Sequence, residues 1–330
     1  GLYINRPAED NVGLFGYTNG STISNVGLTS GSVTGGSQVG SLVGHNSNGA
    51  TVTGCYADVT VSGSGNVGGM IGQMGVSSSV ANSYATGAVN GGGLGVGGLV
   101  GIATNLAVIN ACYATGEVTS TSMWIGGLAG AIQPGATVEN CYATGSVTSS
   151  SGVVGGLVGY NSSGTIINCF STGVPSGTFD VGGIVGNDDG AGTYLGSYWD
   201  TQTSGTADGV GNAEPDPAEV TGKTTAEMMQ QATFGGWDFT GTWLIDEGLT
   251  YPFLQIEIYV WDGGGDGTSW TDRLNWNKDS GYPDDANDRV LLNTASGAII
   301  VTPPGIPLTI GQLTLDSIFV GTLQPVSYTH

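Results

Sequence analysis

The chain has 330 residues, 62 of them glycine, with only 9% charged residues and a formal net charge of −21. Five Lys plus Arg leave no basic face for phosphates, which excludes nucleic acid as a partner and makes an anionic membrane surface an unsuitable one. No run of about eighteen apolar residues exists, so no membrane insertion is expected.

The glycine is periodic. A G-[LMI]-[FVIA]-G core closes at Gly16, Gly44, Gly72, Gly101, Gly130, Gly159 and Gly186, with Ser41 replacing the leading glycine once. Successive copies lie 27–29 residues apart, and a period of that length over seven copies is the mark of a solenoid. Glycine that returns to the same slots is turn chemistry, whereas aperiodic glycine would suggest disorder. The chain starts part-way through a repeat without a basic-then-apolar leader, which suggests a processed or truncated product.

Each core is followed by a short polar turn and then by an apolar stretch, as in T-V-T-G-C-Y-A-D (51–58) or T-V-E-N-C-Y-A-T (137–144). β-Branched and aromatic enrichment between Gly and Ser marks these as strands. With a weaker third segment such as Val147 to Ser149, the repeat reads as three short strands per coil of a parallel β-helix. About 28 residues at ~3.3 Å give ample path for a coil that rises only ~4.8 Å.

Stacked coils place each slot above its own copy. One ladder is Tyr56, Tyr84, Tyr113, Tyr142, Phe170 and Tyr198; two places on stand Asp58, Thr86, Thr115, Thr144 and Thr172. All four cysteines fall in the slot before the aromatics, as Cys55, Cys112, Cys141 and Cys169, with Ser83 interrupting. Their spacing follows the repeat and not a C-x-x-C knuckle, so they read as buried free thiols and no metal is expected. A bridge between Cys112 and Cys141, or Cys141 and Cys169, stays open on spacing. Strict alternation from the β-branched slot (Val52, Val80, Ile109, Val138, Ile166) would bury the tyrosines. Asn82, Asn140 and Asn168 tolerate a left-handed corner, and a bend there resets the alternation. The expectation is Cys and Ala inward, Tyr and Thr outward.

The G-L-V-G cores followed by N-C-Y-A-T-G resemble the GLUG-motif repeats of bacterial surface proteins, including filamentous-haemagglutinin-like adhesins and the non-catalytic repeats of IgA-specific metallopeptidases. The likeness covers about residues 11–200. It implies a secreted, cell-surface, adhesin-like β-solenoid and transfers no catalytic residue.

Beyond Gly186 the period fails and the acids gather: the first 186 residues carry a net −5 and the remainder −16. Residues 187–222 read as an acidic loop. Thr224 to Glu227 form a T-x-x-E capping box ahead of a helix, and Trp237, Phe239, Trp243, Tyr251 and Phe253 follow. This segment is suited to covering the open end of the stack, and it resembles the segment that closes GLUG arrays. From Tyr259 a different β-rich module begins, resembling the opening of autotransporter-like passenger repeats, with Trp261, Trp270 and Trp276 as its own packing group. The domains expected are thus a solenoid at 1–200, a capping segment at 201–258 and a β-helix or sandwich at 259–330.

Chemistry is sparse. Glycoside cleavage needs two carboxylates ~5–9 Å apart, and the acids of the coils are scattered over different slots. His45 reads as a solvated turn residue, and the glycine strings lack the helix and acid of a dinucleotide site. The D-G-G-G-D-G turn offers Asp262 and Asp266 to calcium without the spacing of a loop that binds alone. The expected function is therefore a non-catalytic, extracellular structural or adhesive module, with no cofactor. Its partner would be a surface glycan or protein, or further copies in a fibre. The contact surface would be Tyr56, Tyr84, Tyr113 and Tyr142 with Thr86, Thr115 and Thr144. The alternative is a carbohydrate-active β-helix enzyme or a glycan-binding module.

Overall fold

The computed structural model describes residues 1–260, 289–292 and 312–315. It forms two compact units, Gly1–Pro252 and Phe253–His330. The first is an all-β parallel solenoid of about seven coils, as the period required. Its coils have five short strands each, not three. Five stacks of in-register parallel strands run along the axis, and they are numbered here as faces in chain order within a coil. In one coil, face one is Val118–Ser120, face two Trp124–Gly126, face three Ala129–Ile132, face four Thr137–Glu139 and face five Tyr142–Ala143. Strands of two to five residues separated by tight corners were too short to be told apart by pattern.

Corner chemistry sets the alternation. The slot before the cysteine is left-handed in every coil: Asn25, Gly54, Asn82, Ala111, Asn140, Asn168 and Gly196 have φ between 49° and 62°. That corner turns face four into face five, so Val52 and Cys55 both point inward and Tyr56 points out. The Cys and Ala ladders are buried, with Cys112, Cys141, Ala114 and Ala143 at 0% exposure. The interior fills two columns. One joins Leu42, Met70, Leu99, Leu128 and Leu157 to the valines of faces three and four; the other joins Val33, Val61, Val89, Val118 and Val147 of face one to Val39, Val67, Val96 and Val154 of face two.

The leading glycine of each core is forced by close approach. A Cβ on Gly98 would lie 2.1 Å from the carbonyl of Gly127 and 2.9 Å from the Cβ of Ala114, so the Gly and Ala ladders meet across a narrow interior. Where Ser41 takes this slot, it is buried and its hydroxyl donates to the carbonyl of Gly69.

The stretch expected as an acidic loop is built into the solenoid. Thr193–Leu195 and Ser197–Asp200 complete the seventh coil. Asp208 to Gly211 then form an abbreviated eighth core: Val210 is fully buried and bridges Val185, while Ile184 and Val185 N–H both donate to Gly209 O. Val220–Lys223 adds an eighth strand to face five. In the second unit, Ile258–Val260, Arg289–Leu292 and Gln312–Leu315 pair in parallel, as successive coils do and a hairpin does not.

Candidate contact surface

Face five carries the expected aromatic ladder. Tyr56, Tyr84, Tyr113, Tyr142 and Phe170 stack with centroids 4.7–5.4 Å apart and planes within 12° of parallel. Strand spacing imposes this, because identical side chains on in-register parallel strands can only superpose. The stacking limits how a glycan could meet this surface. Between neighbours each ring face is spent on the next ring, so the ladder offers outward edges and phenol oxygens, not faces on which a sugar could stack. Thr115 and Thr144 beside it are exposed and Thr86 is half-buried.

The ladder is also not uniform. Tyr56, Tyr84 and Tyr113 are half-buried, but Tyr142 is only 6% exposed and Phe170 1%. The difference comes from residues 224–252, which lie alongside face five as a strap and do not sit across the end of the stack. Its helix is a single turn, Thr225–Met228, opened by the Thr224–Glu227 capping box. Trp237 and Trp243 pack at 4.5 Å from each other and about 6 Å from Phe170. Trp237 Nε1 donates to Gly196 O at 2.9 Å and Trp243 Nε1 to Asn140 Oδ1 at 3.4 Å, so both indoles are anchored at face-five corners.

A buried carboxylate ties the strap down. Asp200, at 0% exposure, accepts from the N–H groups of Gln202 and Thr203, capping the short helix Thr201–Ser204. It also accepts from Thr225 Oγ1 at 2.7 Å and Tyr251 Oη at 2.6 Å, both on the strap. Burial by itself would raise the Asp200 carboxyl, but these four donors outweigh it and hold the group below the usual carboxylate range. The Tyr251 phenol is pushed up to about 12, by burial and then by the Asp200 carboxylate.

The other singled-out groups do not converge. The four cysteines are free and buried, and each thiol reaches the carbonyl two residues back, at 3.4, 3.2, 3.0 and 3.1 Å in chain order. Ser83 Oγ makes the same bond at 2.7 Å, which is why serine can stand in this ladder. Burial raises the Cys55 and Cys141 thiols. His45 is not on a turn: it lies half-buried on strand Val43–Ser47, edge-on to Tyr17 at 5.0 Å, and desolvation lowers its pKa. Among the described residues, no group of three or more His, Cys, Asp or Glu side chains is placed to hold a metal ion. Asp262 and Asp266, like Trp261, Trp270 and Trp276, lie outside the described residues.

Sequence reasoning missed the eighth core, in which D-G-V-G at 208–211 keeps the valine and closing glycine of the motif but has Asp in the leading-glycine slot and glycine in the leucine slot. It also missed Asp200 as the knot of the strap, for which no local signal exists.

Residues 35–62, 123–148 and 150–174 match the GLUG motif. No curated protein matches the chain. Among solved structures, one similar chain is a Bacteroides ovatus protein described provisionally as an immunoglobulin A1 protease. It is 21% identical, with 73% of this chain and 76% of that chain covered and a TM-score of 0.48.

Proposed function

From a chain that carries GLUG-motif repeats on a parallel β-solenoid, we propose a non-catalytic structural and adhesive module that works outside the cell, at its surface. The observation that supports this best is the outward strip of face five. The three coils that carry Tyr56, Tyr84 and Tyr113 each set one half-exposed aromatic edge and one hydroxyl or carboxyl group, from Asp58, Thr86 or Thr115, at nearly the same place, with a repeat of about 4.8 Å. Several weak, similar contacts of this kind sum by multivalency and need no deep pocket. Glu117 and Glu139 of the middle coils support the non-catalytic reading, since Glu117 lies next to face one while Glu139 lies on face four. A neutral glycan or a protein surface fits the strip by hydrogen bonds to its hydroxyls, Thr115 and Thr144 foremost.

The test is in two parts. Antibodies raised to residues 11–200 should label intact, unpermeabilised cells, and labelling that needs permeabilisation would overturn the surface location. The purified chain on glycan and extracellular-protein arrays should bind without turning the ligand over, and Thr115→Ala plus Thr144→Ala should weaken that binding several-fold. Measurable cleavage of any polysaccharide on the arrays would refute the non-catalytic reading.

A further inference from the structure

The coil formed by residues 175–223 departs from those before it, and from this we propose that it is a stop that prevents a further coil, including the first coil of another copy of this chain, from stacking on it.

A solenoid coil ends in open strand edges, and any edge that still carries its donors is a template for another coil. On face one the donors that point toward the next coil can be named. Val61, Val89, Val118 and Val147 each donate their N–H to the coil above, to the carbonyls of Ala88, Glu117, Ser146 and Val174. In the last strand of this face, Pro175–Ser176, the same slot holds Pro175, which pairs with Val147 and has no N–H. The missing group is the one that would bind an eighth strand.

Faces two, three and five are modified by other means, while face four ends on the ordinary strand Thr193–Leu195. On face two the register slips: Val153 faces Phe179 and Val154 faces Val181, leaving Asp180 as a bulge in the last strand. The end of face three is met by Asp208 to Gly211, and that of face five by Val220–Lys223. Inside, Trp199 replaces the small residue of its ladder and fills the place of the eighth leucine. A Cβ on Gly209, which occupies that leucine slot, would lie 2.6 Å from the Trp199 ring, and one on Gly183 would lie 2.2 Å from it. The indole plugs the interior column that another coil would have to continue.

The first coil of this chain would be the one to meet that stop: Leu2–Arg6, Phe15–Asn19 and Thr22–Ser24 pair in register with the next coil and carry no proline within the strands. In a head-to-tail stack the donor absent at Pro175 would have reached the carbonyl of Tyr3 in the next copy, because Ile4 holds the slot of Val33. This stop concerns how the module assembles and holds whether or not the proposed surface location does.

The test restores an ordinary coil end in the full chain. Pro175→Val returns the face-one donor, and Trp199→Ala with Gly209→Leu returns the Ala and Leu slots of the preceding coils. The unmodified chain should show no axial association by light scattering, while the triple variant should rise with concentration to at least the mass of a dimer. Amide exchange should then slow at both Leu2–Arg6 and residues 175–182, as expected of one end stacked on the other. Pro175→Val alone keeps the plug, and with it the fold, and should associate in the same way but less. Unchanged mass in both variants, or head-to-tail stacking of the unmodified chain, overturns the proposal.

Discussion

Ala111 holds the left-handed corner, at φ 50°, that its sister coils assign to Asn or Gly. An alanine there bears a Cβ clash that Gly lacks and that Asn tolerates better, at about 1 kcal/mol. Ala111→Asn should therefore raise stability by about that amount in chemical denaturation, and a loss would show that the corner is not strained. Ser171 is the second misfit. It stands in the alanine ladder, 1% exposed, and its hydroxyl is, among the described residues, a buried side-chain polar atom without a hydrogen-bond partner. A buried unsatisfied hydroxyl costs about 1–3 kcal/mol, so Ser171→Ala should stabilise the chain by roughly 1 kcal/mol. A destabilised Ser171→Ala protein would mean that the hydroxyl is paired in solution.

At the scale of elements, the strap and its knot respond to pH with a definite sign. The Asp200 carboxyl is held low in the fold, so its contribution is present above the unfolded value of about 3.9 and is lost as pH falls through the folded one. Tyr251 is raised to about 12, so its contribution is present below about 10 and is lost as pH climbs through the folded value. The strap should accordingly hold best between these limits and loosen first on acidification. Asp200→Asn can still cap Thr201–Ser204 but accepts through one oxygen, and should cost about 1–3 kcal/mol at neutral pH. It should also flatten the acid dependence of strap opening, followed by tryptophan fluorescence and amide exchange over 224–252. An acid limb as steep as in the unmodified chain would place the titrating group elsewhere.

For the whole molecule, stability comes from coil on coil and not from cross-links. All four thiols are buried and unbridged, so a thiol reagent should find none reactive in the native chain and four after denaturation. Reductant should leave the melting temperature unchanged. Fewer than four groups in denaturant would reveal a bridge, most plainly between neighbours in the Cys112, Cys141 and Cys169 ladder. The strap adds a different kind of contact, covering the outside of face five at Tyr142 and Phe170 while leaving the interior to the Leu, Val and Cys ladders.

What the amino-acid sequence determined by itself was whatever each coil shares with its neighbours: the period, the parallel stacking, the Cys, Ala and Tyr ladders and the left-handed Asn corner that turns tyrosine outward. Each slot packs mainly against its own copies, so one-dimensional repetition already states the three-dimensional neighbour. The non-repeating features needed the tertiary structure. That the strap lies beside face five, that Asp200 gathers donors from residues 202 to 251, and that Trp199 fills the eighth leucine slot all depend on contacts between positions with no shared period. The ring faces follow the same rule in reverse: sequence showed that tyrosines recur, but only the 4.7–5.4 Å stacking decided that their faces are spent on one another.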